Sequence, residues 1–171
     1  MQCINLLVDC VPVMPGLKVL IVGSGGREHA LAIGLSNSPS VESIHTCPGN
    51  AGTAMLGVNH AVPASDVNAV IELAIELSVD LVVVGPEAPL VSGISDSLRE
   101  KGIPSFGPHS EGAELEGSKL HAKQMMEQLG IPTAGVQILK PDSDIDAALS
   151  RYSPPWVIKR DVLAAGKGVV V

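Results

Sequence analysis

From Leu17 onward the sequence alternates short β-branched apolar runs with longer amphipathic segments. Continuous apolar runs such as Leu17–Gly23 and Asp80–Gly85 are typical of strands that are buried on both faces of a sheet. Segments with apolar residues three and four positions apart, such as the one after Asp66, are typical of helices. Strands that alternate with helices form parallel sheets, because each helix returns the chain to the same edge. The pattern therefore predicts an α/β fold with a parallel, Rossmann-like sheet.

The same periodicities and the turn residues between them locate the individual elements. In the first part of the chain we predict strands over 17–23, 43–47, 58–62, 80–85 and 103–106, the last at a sheet edge, and helices over 27–36, 66–77 and 91–100. The second of these helices is expected to bury one face, formed by Val67, Val70, Ile71, Ala74 and Ile75. Further on we predict helices over 111–129 and 142–152 and strands over 133–139 and 156–159.

The change of pattern near Pro108 predicts two domains preceded by an extension. Residues 1–16 contain Asp9 and two prolines but no Lys or Arg, so we expect a poorly ordered extension rather than a secretory signal. A translated upstream segment and a weak targeting peptide are the alternatives. Residues 17–108 are expected to form the amino-terminal domain, and residues 109–171 the first part of a second, truncated domain. Because the sequence stops within an apolar run, we expect the front part of a longer protein or a fragment that pairs with something else.

Composition excludes two classes of partner. A formal net charge of -7, with one Phe, one Tyr and one Trp, is not the basic, aromatic surface of a nucleic-acid-binding protein. No stretch is long and apolar enough to span a bilayer. The three cysteines lack the spacing of a metal or redox motif, so we expect reduced thiols and a cytoplasmic location. A small anionic ligand remains compatible with this composition, since a few amides and lysines bind phosphate within an acidic protein.

The first candidate site is the glycine-rich segment Gly23–His29, where the first strand becomes the first helix. Glycines there allow a tight turn and bring backbone amides to a phosphate at the positive end of the helix. The alternative is a tight turn that serves packing only. A dinucleotide site is disfavoured, because Glu28 replaces the third small residue and the second strand ends without a carboxylate. We interpret His29 as structural.

Two more loops follow predicted strands and carry polar side chains. Asn50 lies in Pro48–Thr53 and offers both a donor and an acceptor to a sugar hydroxyl or an amine. Glu87 lies in Gly85–Leu90 and can accept from ribose hydroxyls or an amine, or can simply interact with a helix dipole. Because open α/β sheets bind ligands at the carboxyl ends of their strands, three such loops predict a small-ligand site at that edge.

The end of the chain, Val157–Val171, is an apolar run, a small-residue loop with a lysine, and another apolar run. It predicts a strand, a glycine-rich turn and a strand, with the amides of Ala165–Gly168 facing an anion. A Walker loop is excluded because a glycine and a β-branched run follow Lys167. An ordinary β-hairpin turn is the alternative. Lys159 ends an apolar strand, so we expect its ammonium to leave a buried sheet toward a phosphate.

A further lysine pair lies on the helix that Ser118 can cap. Lys119 and Lys123 are one turn apart on that helix and therefore share a face. A lysine pair of this kind usually marks a solvated helix face, so by itself it assigns no ligand.

Six short blocks occur in order between residue 18 and the end of the chain: GGREHAL at 25–31, PGNAG at 48–52, VGPEAPL at 84–90, FGP at 106–108, LEGSK at 115–119 and LAAGKGV at 163–169. With these blocks the chain resembles the amino-terminal part of the phosphoribosylamine–glycine ligase (glycinamide ribonucleotide synthetase) family of the ATP-grasp superfamily. The resemblance implies a Rossmann-like, pre-ATP-grasp domain followed by an incomplete ATP-grasp domain.

The resemblance also implies an activity in de novo purine synthesis. Such enzymes use ATP and Mg²⁺ to phosphorylate glycine, and the amine of 5-phosphoribosylamine then displaces the phosphate to give glycinamide ribonucleotide. In this family the substrate-binding residues would be Gly25, Gly26, Arg27, Asn50 and Glu87. The ATP-binding residues would be Lys119, Lys159, Ala165, Gly166, Lys167 and Gly168.

The resemblance leaves three points open. It assigns no catalytic residue and no metal ligand to this chain, because the magnesium ligands and the rest of the ligase are expected beyond Val171. We therefore expect the isolated polypeptide to lack ligase activity. Arg160 and Val162 stand where the family has alanine and glycine. If the glycine of the family has a positive φ, Val162 in the same conformation would be strained. Another ATP-grasp ligase and a noncatalytic phosphoribosyl-binding module are the alternative functions.

Overall fold

The computed structural model describes residues 16–163 and 167–171. These residues divide into two compact units, and each unit is described by itself. The first contains residues 16–86 and 97–107, and the second contains residues 87–96 and 108–171. The residues of the predicted extension lie outside the described part, apart from Gly16. The domain boundary predicted near residue 108 remains a prediction.

A five-stranded parallel sheet forms the centre of the first unit. Its strands are β1 Leu17–Gly23, β2 Val41–Pro48, β3 Val58–Asn59, β4 Leu81–Val84 and β5 Ser105–Phe106. Their order is β3-β2-β1-β4-β5, and every neighbouring pair is parallel. The carboxyl ends of all five strands therefore lie at one edge of the sheet. The predicted α/β fold with a parallel sheet is confirmed, and β5 is an edge strand as expected.

The middle of β1 is buried on both faces, as its continuous apolar run predicts. Val19, Leu20, Ile21 and Val22 are fully buried, which is expected when helices cover both sides of a parallel sheet. On one face Val19 and Ile21 form a cluster with Ala32, Ile44 and Val83. Each fully buried aliphatic side chain of this kind stabilises the fold by about 1.5–3 kcal/mol.

Seven α-helices and a short 3-10 helix, Thr53–Met55, accompany the strands in the described part of the chain. The α-helices are α1 Gly26–Ser36, α2 Val67–Glu76, α3 Glu87–Val91, α4 Ile94–Glu100, α5 Ser110–Gly117, α6 Lys119–Gln128 and α7 Ile145–Leu149. Helix α2 begins as predicted, because the Asp66 carboxylate accepts a hydrogen bond from the Ala69 amide at 3.1 Å. The predicted burial of Ile75 is wrong: it is 52% exposed, while Leu73 is buried. The buried face is centred between Val70 and Ala74, and Ile75 lies further round the helix.

Several predicted elements are shorter or interrupted. The helix predicted over 91–100 breaks at Gly93, whose φ is +81°, and the one predicted over 111–129 breaks at Ser118. The helix predicted over 142–152 covers only Ile145–Leu149, and the strand predicted over 58–62 covers only Val58–Asn59. The strand predicted over 133–139 is wrong: among the described residues no strand pairs with it, and an alternating pattern cannot form a ladder without a partner.

The second unit contains one short antiparallel hairpin, formed by β6 Ile158–Lys159 and β7 Val169–Val170. Beyond Ala113 none of the described residues is buried. The prediction that Lys159 leaves a buried sheet is therefore wrong for this chain. Val157, Ile158 and Val170 are 47–65% exposed, because two strands alone cannot cover either face of the hairpin.

In the described residues, no helix has the length and apolar character needed to cross a membrane.

Candidate functional site

The first site residues lie at the carboxyl edge of the sheet, where β1 turns into α1. Gly23 has a φ of +131°, a conformation that side-chain-bearing residues rarely adopt. Gly25 is the residue before the helix, and its carbonyl accepts from the His29 amide at 3.2 Å. Residues Ser24 to Arg27 are exposed. The loop thus presents backbone to solvent at the positive end of α1, as a phosphate site requires.

The buried side chain of Glu28 fixes this loop through a hydrogen bond. It is only 4% exposed, and its Oε2 accepts a hydrogen bond from the Gly25 amide at 2.5 Å. This contact is one half of a capping box, in which the third helical residue reaches back to the residue before the helix. A glutamate three residues after a loop glycine is a sequence signal for it. From the sequence, Glu28 was interpreted only as a departure from a dinucleotide motif, and its capping role was missed.

The Glu28 carboxylate also contacts the end of β4. A Cβ atom on Gly85 would lie 2.0 Å from Oε1 of Glu28, and one on Gly23 would lie 2.7 Å from its Cδ. Only glycine therefore fits at these two positions without displacing the carboxylate. Oε1 has no hydrogen-bond partner, and the Arg27 Nε lies 3.8 Å away. One buried side chain thus packs between the ends of two neighbouring strands and the first turn of α1.

Asn50 joins the loop after β2 to the loop after β1. Its Nδ2 donates to the carbonyls of Ser24 and Gly25, both at 3.0 Å. Its Oδ1 accepts from the amides of Gly52 and Thr53 at 2.8 and 3.0 Å. Two donors and two acceptor positions are all that a side-chain amide offers. The amide of Asn50 therefore fixes the relative position of the two loops.

A second layer of contacts fixes Asn50 itself. The backbone amide of Asn50 donates to the Thr53 hydroxyl at 2.8 Å, and its backbone carbonyl accepts from Nδ2 of Asn59 at 2.8 Å. The His29 ring packs against Gly52, where a Cβ atom would come within 2.4 Å of it. This packing agrees with the structural interpretation of His29. The two loops are therefore held together before any ligand arrives.

Glu87 belongs to the second unit, where it begins α3. It lines an open cavity of about 430 Å³, together with Leu90, Pro108, Gly112, Ala113, Leu115 and Glu116. Two carboxylates and several apolar groups line this cavity, a combination that suits an amine or a hydroxyl donor rather than a phosphate. The predicted roles of Gly25, Gly26, Arg27, Asn50 and Glu87 in substrate binding remain predictions.

In the second unit, Ser118 caps α6 as expected. Its hydroxyl oxygen accepts from the His121 amide at 3.0 Å, and the hydroxyl donates to the Asp161 carboxylate, with oxygens at 3.2 and 3.4 Å. Oδ1 of Asp161 also accepts from the Leu120 amide at 3.1 Å. The Leu120 amide, more than any other group, lowers the pKa of Asp161 below its ordinary value of 3.8. An anionic side chain thus lies at the positive end of α6.

The lysines assigned to ATP have different environments. Nζ of Lys119 donates to the carbonyl of Val162 at 2.8 Å, whereas Lys159 lies on the exposed hairpin opposite Val169. Lys123 donates to Thr133 and to the Ala134 carbonyl. Lys167 is exposed. Both lysines of α6 that share this face are thus held by neighbouring oxygens.

The hairpin turn is described in part. The two predicted strands are confirmed by the pairing of β6 with β7, and the Arg160 amide donates to the Gly168 carbonyl at 3.1 Å. Gly168 has a φ of +76°, which favours glycine. Ala165 and Gly166 lie outside the described residues, so their predicted contact with ATP remains a prediction.

The strain considered for Val162 does not arise. Among the described residues, the non-glycine residue with positive φ is Ser78, at 52°. Val162 therefore lies outside the left-handed region, and its carbonyl is free to accept from Lys119.

Within 16–163 and 167–171, no group of three or more His, Cys, Asp or Glu side chains is arranged to hold a metal ion.

Comparison with family models gives two consecutive matches that together cover residues 17–171. Residues 17–116 match the phosphoribosylglycinamide synthetase N domain, and residues 117–171 match the ATP-grasp (A) domain of the same synthetase.

Comparison with individual proteins gives the same family. The phosphoribosylamine–glycine ligase of Streptomyces coelicolor is 53% identical over 155 residues, covering 91% of this chain and 37% of that protein. The Mycobacterium tuberculosis ligase is 48% identical over 160 residues, covering 91% of this chain and 38% of that protein. The chain therefore spans a little more than a third of the length of these relatives.

Solved structures share the fold. The crystal structure of the Thermotoga maritima phosphoribosylamine–glycine ligase matches with a TM-score of 0.67 and 36% identity, covering 90% of this chain and 35% of that one. The ADP complex of an N5-carboxyaminoimidazole ribonucleotide synthetase matches with a TM-score of 0.70, covering 92% of this chain and 41% of that one. The second match is 21% identical and shows a likeness of fold alone.

Proposed function

We propose, since the chain belongs to the phosphoribosylglycinamide synthetase family, that it is the phosphoribosylamine-binding part and the beginning of the ATP-binding part of a phosphoribosylamine–glycine ligase. The reaction joins glycine to 5-phosphoribosylamine with the conversion of ATP to ADP and phosphate. The observation that carries the proposal is the pair of hydrogen bonds from Asn50 to the carbonyls of Ser24 and Gly25.

Those hydrogen bonds support a phosphate site at the sheet edge. They hold the loop after β2 against the loop after β1, so that the exposed glycines lie in one place beside the first turn of α1. The amides of Gly26 and its neighbours in that turn have no acceptor within the helix, and the helix end carries partial positive charge. The 5-phosphate of phosphoribosylamine is the group these features suit. Asn50 acts in this proposal by positioning the loop, and Arg27 by adding a cationic side chain.

The second unit would serve the nucleotide. A carboxylate becomes a good acylating agent only when one oxygen can leave as phosphate, so the γ-phosphoryl group of ATP must be held beside glycine. Lys119, Lys159 and the turn at 165–168 would contact the phosphates, and closure of that turn would exclude water from the acyl phosphate. In the proposal the magnesium ligands belong to the part of the enzyme that this chain does not span.

The test is a binding measurement on the 171-residue polypeptide. Ribose 5-phosphate replaces the labile amine as the probe, with ribose as the uncharged control, and both are titrated by calorimetry. We expect ribose 5-phosphate to bind and ribose to bind at least 10-fold more weakly, because the phosphate supplies the charge-assisted hydrogen bonds. Equal binding of the two sugars would contradict the phosphate site.

A matched pair of variants locates the site. A Cβ atom on Gly26 meets nothing within 4 Å, so Gly26→Ala should fold while placing a methyl group where the phosphate approaches. Gly34→Ala in the same helix is the control, since its Cβ also meets nothing. We expect only Gly26→Ala to weaken the binding of ribose 5-phosphate.

A noncatalytic phosphoribosyl-binding module is the second candidate function, and one observation favours it. The first unit has a core of its own around Val19 and Ile21, whereas Lys159 and Lys167 lie on exposed elements of the second unit. Titration with Mg-ATP separates the two candidates. Binding of the sugar phosphate without affinity for ATP favours the module. Either function is compatible with a cytoplasmic location, which we propose for this chain.

A further inference from the structure

We infer that Asp161 is a positioning residue: it ties the segment after β6 to the helix that carries Lys119. Its importance for nucleotide binding rests on the proposed function of that lysine. Nothing in the six sequence blocks singles out Asp161, and the inference comes from its contacts.

The contacts of Asp161 all reach the first turn of α6. Its Oδ1 accepts from the Leu120 amide at 3.1 Å, and its two carboxylate oxygens lie 3.4 and 3.2 Å from the Ser118 hydroxyl. These residues are 41 and 43 positions away in the sequence. The carboxylate therefore satisfies a helical amide that lacks an intrahelical acceptor, and it does so from a separate segment of chain.

The next residue makes a second contact with the same turn. The Val162 carbonyl accepts from Nζ of Lys119 at 2.8 Å. Two consecutive residues are thus held against α6, one through a charge at the positive helix end and one through the lysine. On the far side of the turn, Gly168 accepts from the Arg160 amide at 3.1 Å. Hydrogen bonds therefore fix the chain on both sides of the turn: Asp161 and Val162 are bound to α6, and Gly168 is bound to Arg160.

This arrangement has a consequence for phosphate binding. A helix end of this kind attracts phosphate groups, but here the carboxylate of Asp161 already occupies it. A nucleotide phosphate would have to reach the ammonium of Lys119 rather than the helix end, and it would compete with the Val162 carbonyl for that ammonium. Asp161 would hold the turn in place during the exchange.

A simple helix cap is the alternative to a positioning role, and the two differ in what they couple. A cap affects the amides at the start of α6 only. A positioning residue also affects the hairpin, because loss of the carboxylate frees residues 161–162 and with them the Arg160 hydrogen bond. Amide hydrogen exchange, followed by NMR on the 171-residue chain at pH 7, measures the Leu120 amide of α6 and the Arg160 amide of the hairpin separately.

The experiment compares Asp161→Asn with Asp142→Asn, an exposed aspartate of the turn before α7. We expect the Leu120 and Arg160 amides to exchange about 10-fold faster in Asp161→Asn, the loss expected for one charge-assisted hydrogen bond. The control should leave both unchanged. Ser118→Ala removes the cap hydroxyl but keeps the Asp161 to Leu120 contact, so it should expose the His121 amide and leave Arg160 protected.

The pH profile gives a readout that packing alone would not move. Because the folded-state pKa of Asp161 is lowered, the contribution of the carboxylate is present above 3.8 and is lost as the pH falls through the lower folded value. Protection of Leu120, corrected for intrinsic exchange, should fall in that range in the unsubstituted chain and stay flat in Asp161→Asn.

An unchanged Arg160 amide in Asp161→Asn would overturn the inference. Titration with Mg-ATP then tests its importance for the nucleotide: Asp161→Asn should bind about 10-fold more weakly if the turn must be held. Equal binding by both proteins would also overturn it. Absence of Mg-ATP binding by the unsubstituted chain would count against the proposed function, whereas the exchange of Arg160 would still decide the inference.

Discussion

The two candidate sites are built in opposite ways. The sheet-edge loops of the first unit rest on a buried carboxylate and on an asparagine whose four hydrogen-bonding positions are all filled from within the protein. The lysine-bearing elements of the second unit are joined by contacts among exposed or half-exposed groups. The Asn50 side chain makes four hydrogen bonds at once, so opening the loop junction breaks all of them together, whereas single exposed hydrogen bonds open at little cost. The first site is therefore preformed, and the second depends on a small number of surface contacts.

The largest expected effect concerns the thiol of Cys47 in β2. Burial raises its pKa from 9.0 to about 12, so the reactive thiolate is about 1000-fold scarcer at pH 8 than in an unfolded chain. In a protein carrying Cys3→Ser and Cys10→Ser, iodoacetamide should modify Cys47 about 1000-fold more slowly without urea than in urea. Mass spectrometry measures both rates. A native rate within 10-fold of the urea rate would mean that the first unit opens readily, which would contradict the rigidity inferred for it.

The next effect concerns the loop junction. Asn50→Ala removes four hydrogen bonds and leaves carbonyls and amides without their partners, so we expect the free energy of unfolding of the first unit to fall by about 2–4 kcal/mol. Urea denaturation followed by circular dichroism measures it. Asn37→Ala is the matched control, because Asn37 donates once, to the Ile33 carbonyl on the surface, and should cost less than about 1 kcal/mol. Equal losses would show that the loop junction is no more important than a surface contact.

A smaller effect is expected at the end of β4. Gly85→Ala would place a methyl group 2.0 Å from Oε1 of Glu28, and displacement of this buried carboxylate should cost about 1–3 kcal/mol. Gly34→Ala, with an open environment in α1, should instead stabilise by about 0.5–1 kcal/mol. The melting temperatures of the two variants should therefore move in opposite directions. A Gly85→Ala protein with an unchanged melting temperature would show that the Glu28 side chain adapts freely.

The smallest effect sharpens the comparison on the side of the second unit. The Ser110 amide, with help from His109, lowers the pKa of Asp96 from 3.8 to about 2. The contact therefore contributes above 3.8 and is lost as the pH falls from 3.8 toward 2. Protection of the Ser110 amide, corrected for intrinsic exchange, should fall in that range, and in Asp96→Asn the corrected protection should not vary with pH. The effect should also weaken with added salt, since exposed charges are screened.

Local chemistry made much of the molecule predictable from its sequence. Leu17–Gly23 was predicted to the residue, because the four consecutive β-branched and aliphatic residues Val19–Val22, followed by a glycine, are typical of a central strand buried on both faces. The cap at Asp66 and the cap at Ser118 were also predictable, since they depend on one side chain and an amide three residues away. Where a pattern needed a distant partner, prediction failed: residues 133–139 alternate suitably but meet no strand within the described part.

The candidate sites divide along the same line. The parallel sheet, the loops at its carboxyl edge and the residue types in those loops follow from the sequence, because periodicity and turn chemistry are local properties. Three contacts are visible in the folded molecule alone: the Asn50 side-chain amide binds the neighbouring loop, Glu28 packs against Gly85, and the Asp161 carboxylate binds the amino-terminal end of α6. These pairs are 25 to 57 residues apart, and folding rather than spacing brings them together.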